Sequence, residues 1–127
     1  MNKAKYKNEE LPTAADVSLF EMLFPMLKSD VSEIRELSKK KQDEPLNLVK
    51  VRIINKKLGQ VKELLKNQPT NQYLELLDED TIPTNSDAVL MISQFINALE
   101  QFEKKYYESD GADIDILGSR WTWKIKE

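Results

Sequence analysis

Two stretches of the chain carry apolar residues at alternating steps of three and four. Within residues 45–66 the series is Val51, Ile54, Leu58, Val61 and Leu65. Within residues 86–108 it is Ala88, Ile92, Phe95, Leu99, Phe102 and Tyr106. Such a series keeps one face of an α-helix apolar along its whole length, whereas a half-buried strand alternates with period two. Each seam covers about three heptads, so the two predicted helices belong to a packed bundle and not to an extended coiled coil. Leu46, Val49, Ile53 and Leu64 add a second stripe to the first helix, which predicts a central position with more than one neighbour. Val89 and Ile96 widen the seam of the other. Gly59 costs about 1 kcal/mol against alanine inside a helix, and a close helix crossing is the expected compensation.

The remaining helix signals are local. Thr13 can cap a helix with Asp16 three residues later, and Val17, Phe20 and Phe24 follow at helical spacing. Pro25 predicts a stop, a kink or a new turn. A second start is expected at Ser29 or Asp30, with Glu33 completing a capping-box pattern, Val31, Ile34 and Leu37 as the stripe, and Lys39 to Lys41 at the C-terminal end. Pro45 is placed as a first helical residue of the central helix. "QPTNQYLELLDED" reads as a short helix begun near Pro69, and the last long helix starts at Asn85 or Ser86. The fold class expected is mainly α, a bundle of four to five helices.

The C-terminus departs from this pattern. "ADIDIL" and "RWTWKIK" alternate with period two around Gly118-Ser119, a two-residue hairpin loop. The predicted C-terminal β-hairpin has strands at about 112–117 and 120–126. It sets Ile116 opposite Trp121, Ile114 opposite Trp123 and Asp113 opposite Lys124. One face then carries Trp121 and Trp123 with the isoleucines. A hairpin alone is marginal in water, so that face is expected to lie on the bundle or on a partner. Residues 1–10 read as a flexible polar arm and 11–127 as a single helical domain, at 127 residues an ordinary domain length.

Composition narrows the chemistry. The chain has no cysteine and no histidine, so it can hold neither a disulfide framework nor a Ser-His-Asp or Cys-His triad, and it lacks the commonest transition-metal ligand. Its three glycines, Gly59, Gly111 and Gly118, form no phosphate-cradling loop. The cluster Asp78, Glu79, Asp80 reads as a solvated turn in preference to a cation site, and "DGADID" lacks the EF-hand spacing. No metal and no cofactor are expected. The N-terminal "MNKAKYKNEE" has no apolar core of a secretory signal, and the longest apolar-rich run, Leu19 to Leu27, contains Glu21 and Pro25 and is too short to span a bilayer. A cytoplasmic protein without membrane attachment is the expectation.

Three functional readings remain. The first is a non-catalytic protein–protein interaction protein: a small subunit, adaptor, inhibitor or immunity-type protein that binds another protein or itself. Its candidate contacts are Phe20, Met22, Phe24 and Met26 of "LFEMLFPML", together with Trp121 and Trp123. For the Met/Phe run, core packing is the stronger competing reading. The second is nucleic-acid binding through the basic helix 45–66, with Lys50, Arg52, Lys56, Lys57 and Lys62 as candidate phosphate contacts. Against it stand the net charge of −3 and the acids of 75–87, which can neutralise those cations internally. The third is a carboxylate-dependent enzyme, for which the 22 acids select no particular pair.

Overall fold

A computed structural model describes residues 11–109 and 121–126. Among these residues it has three α-helices and a two-stranded antiparallel sheet: α1 (Ala14–Lys41), α2 (Leu48–Leu64), α3 (Asn85–Tyr106), β1 (Tyr107–Ser109) and β2 (Trp121–Trp123). A short 3-10 turn, Pro69–Tyr73, stands between α2 and α3. The proposed arm 1–10 lies outside the described residues.

The first correction concerns helix number. Thr13 caps α1 as its sequence suggests, in a reciprocal capping box with Asp16 at 2.9 and 3.0 Å. The helix then runs through Pro25 without ending and reaches Lys41. The cost of a proline inside a helix is a lost N–H bond and a crowded carbonyl one turn back. Here that carbonyl belongs to Glu21, and both Glu21 and Pro25 are exposed, so water can satisfy it. The opposite face buries Phe20, Leu23, Phe24, Leu27, Val31 and Ile34, which holds the two halves of α1 in register as one helix. Asp30 caps nothing. Its carboxylate meets Lys57 Nζ of α2 at 2.6 Å.

The second correction concerns Pro45. It precedes α2 instead of opening it, because Asn47 is the cap, its side chain accepting from the Lys50 N–H at 2.8 Å. Pro45 instead forms a bridge with Thr84. Leu46 N donates to Pro83 O at 2.9 Å and Asn85 N to Glu44 O at 2.8 Å. Ser86 N donates to Gln42 O at 3.1 Å, and Asn85 Nδ2 donates to Lys41 O at 2.9 Å. The unpaired carbonyls leaving α1 thus satisfy the unpaired amides entering α3.

The seams behave as their spacing demands. Every residue of both is buried, from Val51 to Leu65 and from Ala88 to Tyr106. The second stripe of α2 divides: Leu46 and Leu64 are buried, while Val49 and Ile53 are 67% and 54% exposed. The helix is therefore not enclosed on two sides. The most extensive helix–helix contact joins α1 to α3, with α2 mainly against α1. Phe20 lies against Phe102, and the end of α1 meets the start of α3, so these two helices run antiparallel. Gly59 faces open space: a methyl group added there meets nothing within 4 Å. The expected close crossing is absent.

The short helix expected after Pro69 is also replaced. Beyond the 3-10 turn, residues 74–78 have neither helical nor sheet backbone pairing. Side chains of α2 hold this segment instead. Asn55 Nδ2 donates to Leu77 O at 2.8 Å while its Oδ1 accepts from Leu77 N at 2.9 Å, and Lys62 Nζ donates to Leu74 O at 2.6 Å. Leu74 and Leu77 are thereby buried.

Candidate functional site

The hairpin forms at the end of α3, with a register that differs from the sequence reading. Trp123 pairs with Tyr107, Thr122 with Glu108 and Trp121 with Ser109. Ile114 and Ile116, the expected partners, lie with Gly118-Ser119 in 110–120, outside the described residues. The first strand follows α3 without a break, so the chain turns directly from helix into sheet at Tyr107.

That direct join decides the fate of the two tryptophans. Trp123 sits opposite the first strand residue, next to the helix ends. Its ring lies 5.1 Å from Phe20 edge-on, 6.0 Å from Phe102 and 5.2 Å from Tyr107. Phe20–Phe24 and Phe102–Tyr106 contacts at 5.0 and 5.2 Å extend the aromatic cluster. Trp121 is two residues further out, about 6.6 Å along the strand at 3.3 Å per residue. It passes beyond the bundle and is 56% exposed, stacked on Tyr107 with ring centroids 5.7 Å apart and planes 29° from parallel. Of the two covers expected for this face, the bundle supplies one for Trp123 in part and none for Trp121.

The strand end is fixed from both sides. Lys124 N donates to Tyr106 O and Lys126 N to Pro12 O, each at 2.7 Å. Gln68 Nε2 donates to the Tyr106 hydroxyl at 3.1 Å, satisfying a fully buried phenol.

The proposed partner contacts separate into two groups that the fold does not unite. Phe20 and Phe24 are core residues, which corrects their assignment to a contact surface. Met22 and Met26 are exposed one turn apart on the opposite face of α1. Trp121 is exposed at the hairpin, and Trp123 is its anchor. Tyr107, absent from the sequence reading, supplies the stacking partner. Its only sequence signal is a second tyrosine directly after a seam that ends at Tyr106.

The basic helix is largely occupied by its own protein. Arg52 Nε meets Glu79 Oε1 at 3.1 Å, Lys57 meets Asp30, and Lys62 holds the Leu74 carbonyl. Lys50 and Lys56 make no side-chain hydrogen bond or ion pair among the described residues. Among the same residues no Asp or Glu is buried, and no group of three His, Cys, Asp or Glu side chains is placed to hold a metal ion. Asp78 is a turn residue. Its Oδ1 accepts from Thr81 N at 3.1 Å and Asp80 N at 2.7 Å, and these bonds hold its carboxyl below the usual aspartate value.

No family model, curated protein or solved structure matches the chain.

Proposed function

We propose that the chain is a non-catalytic interaction protein, a small subunit, adaptor, inhibitor or immunity-type protein, that engages its partner at the hairpin end of the bundle. One observation carries the reading: the fold spends one tryptophan as an anchor and leaves the other 56% exposed on a tyrosine platform. Exposed, rigidly held Trp and Tyr are the side chains most enriched at the energetic centres of interfaces.

Nucleic-acid binding has less support, since Arg52, Lys57 and Lys62 already bond within the chain. Its fair test uses Lys50→Glu/Lys56→Glu, because changing Lys57 also unpairs Asp30. Retardation of DNA or RNA that weakens with salt and with this double variant would move the reading to the second function.

The direct test is capture of a partner from native lysate by the wild-type chain and by Trp121→Ala. A stoichiometric partner retained by the first and lost by the second is the expected result. A monomeric protein that retains nothing, or the same set in both variants, would contradict the proposal.

A further inference from the structure

Two surfaces on either side of the Arg52–Glu79 ion pair stay uncovered in the fold and carry opposite charge. The first is the outer side of α2. Val49 and Ile53 are exposed there one turn apart. Lys50 and Lys56, each three residues from Ile53, flank them and make no ion pair among the described residues. No Asp or Glu stands between Asn47 and Gln60. The second surface is an open cleft of about 640 Å³ between the connection that follows the 3-10 turn and the start of α3. Leu76, Leu90 and Met91 give it apolar walls, and Leu90 is 61% exposed. Glu75, Asp78 and Asp87 add three carboxylates, and among the described residues no Lys or Arg lines it. Arg52 and Lys62 reach the same connection, but Glu79 and the Leu74 carbonyl hold them. From Asp87 to Tyr107 α3 rises about 30 Å at 1.5 Å per residue, so this cleft lies at the opposite end of the helix from Trp121.

We propose that the cleft holds the α2 stripe of a second copy of the chain, and that one two-fold axis makes this contact twice. The match within the chain selects the occupant: apolar side chains flanked by cations on α2, apolar side chains flanked by carboxylates in the cleft. Ile53 directly follows Arg52 and Glu79 directly follows Asp78, so the Arg52–Glu79 bond makes stripe and cleft neighbours. A two-fold axis near that pair lays each copy's stripe over the other's cleft, a closed, isologous contact. Val49 and Ile53 then leave water against Leu76 and Leu90, while Lys50 and Lys56 face Glu75 and Asp87. An apolar centre with a charged rim is the usual anatomy of such a contact. The inference goes beyond the hairpin reading and does not depend on it, because Trp121 stays outside the contact.

Sedimentation velocity of the full chain over a concentration series, at low and high salt, tests it. Ile53→Asp and Leu90→Lys change exposed side chains, and circular dichroism checks that both variants keep their helices. The wild-type chain is expected to dimerise, more weakly at high salt. Each variant alone is expected to weaken the dimer by about tenfold or more, since it removes apolar contact and sets like charge against like. An equal mixture of the two is expected to restore the dimer. One of its two contacts is then wild-type on both sides, and the other sets the introduced aspartate against the introduced lysine. Trp121→Ala is expected to leave the dimer unchanged. A chain that stays monomeric at every concentration would overturn the proposal. So would a dimer that either variant leaves intact, a dimer that Trp121→Ala dissociates, or two variants whose mixture stays monomeric. A monomer that binds a lysine-rich peptide, and loses it with Leu90→Lys, would give the cleft to a different partner. If the dimer fails while partner capture still depends on Trp121, the hairpin reading stands without it.

Discussion

Asn85 is the buried polar side chain at the junction of α1 and α3, and its amide closes the last carbonyl of α1 at Lys41. Truncating it to alanine removes that bond and leaves Lys41 O with the Glu44 N–H alone at 3.2 Å, so Asn85→Ala is expected to cost about 1 kcal/mol in urea unfolding. The two tryptophans are expected to differ in the same experiment. Trp123→Ala removes a ring packed on Phe20, Phe102 and Tyr107 and is expected to cost about 3 kcal/mol. Trp121→Ala removes an exposed ring and is expected to cost under about 1 kcal/mol. Asp78 gives a pH signature with a definite sign. Its folded pKa is lowered from 3.8 by the Thr81 and Asp80 backbone bonds, in that order of size. The ionised turn is therefore favoured above that value, and its contribution is lost as pH falls through the lowered folded pKa. Carboxyl NMR is expected to show Asp78 titrating below the ordinary aspartate midpoint, and an unshifted midpoint would contradict the turn geometry.

The helices carry two internal residues that work against them. Pro25 lies inside α1 on its exposed side, and Gly59 lies in α2 facing empty space. Gly59→Ala is expected to raise stability by about 1 kcal/mol, because the methyl meets nothing and the unfolded chain loses freedom. An unchanged or lowered midpoint would mean that the helix crossing is closer than it stands here. The seams were legible from spacing alone, since a helical face either meets the core or does not: Val51 to Leu65 and Ala88 to Tyr106 are buried throughout. Local break signals misled. Pro25 reads as a stop, and Ser29 and Asp30 read as a cap, yet burial on the far face of α1 outweighs both. Leu74 and Leu77 have helical spacing, but bonds from Asn55 and Lys62, 12 to 22 residues away in sequence, fix that segment in another form. No local pattern contains such a partner. The hairpin shows the same limit. Alternation marked residues 121–123 as strand correctly, but the register depended on where α3 ends, which places Tyr107 opposite Trp123. Tyr107 was consequently missed from the candidate site, and Phe20 and Phe24 were placed in it, because exposure of a helical face depends on which neighbours arrive.

At the scale of the molecule, α1 antiparallel to α3 forms the main body, and α2 packs its buried seam against it, with polar side chains adding further ties. The Asp30–Lys57 contact joins α1 to α2, and Arg52–Glu79 joins α2 to the connection before α3. Basic residues of α2 that resemble a phosphate-binding stripe in sequence are thus largely structural. Among the described residues no helix is long and apolar enough to cross a membrane. The aromatic cluster at the far end welds the hairpin to the body through Trp123, while Lys124 and Lys126 bond to the ends of α3 and the segment before α1. This anchoring holds Trp121 outside the core, exposed on the Tyr107 ring. Acrylamide quenching of two single-tryptophan proteins, Trp123→Phe and Trp121→Phe, tests it most directly. The account predicts that the protein retaining Trp121 is quenched several-fold more steeply than the one retaining Trp123. Equal quenching, or steeper quenching of Trp123, would contradict it.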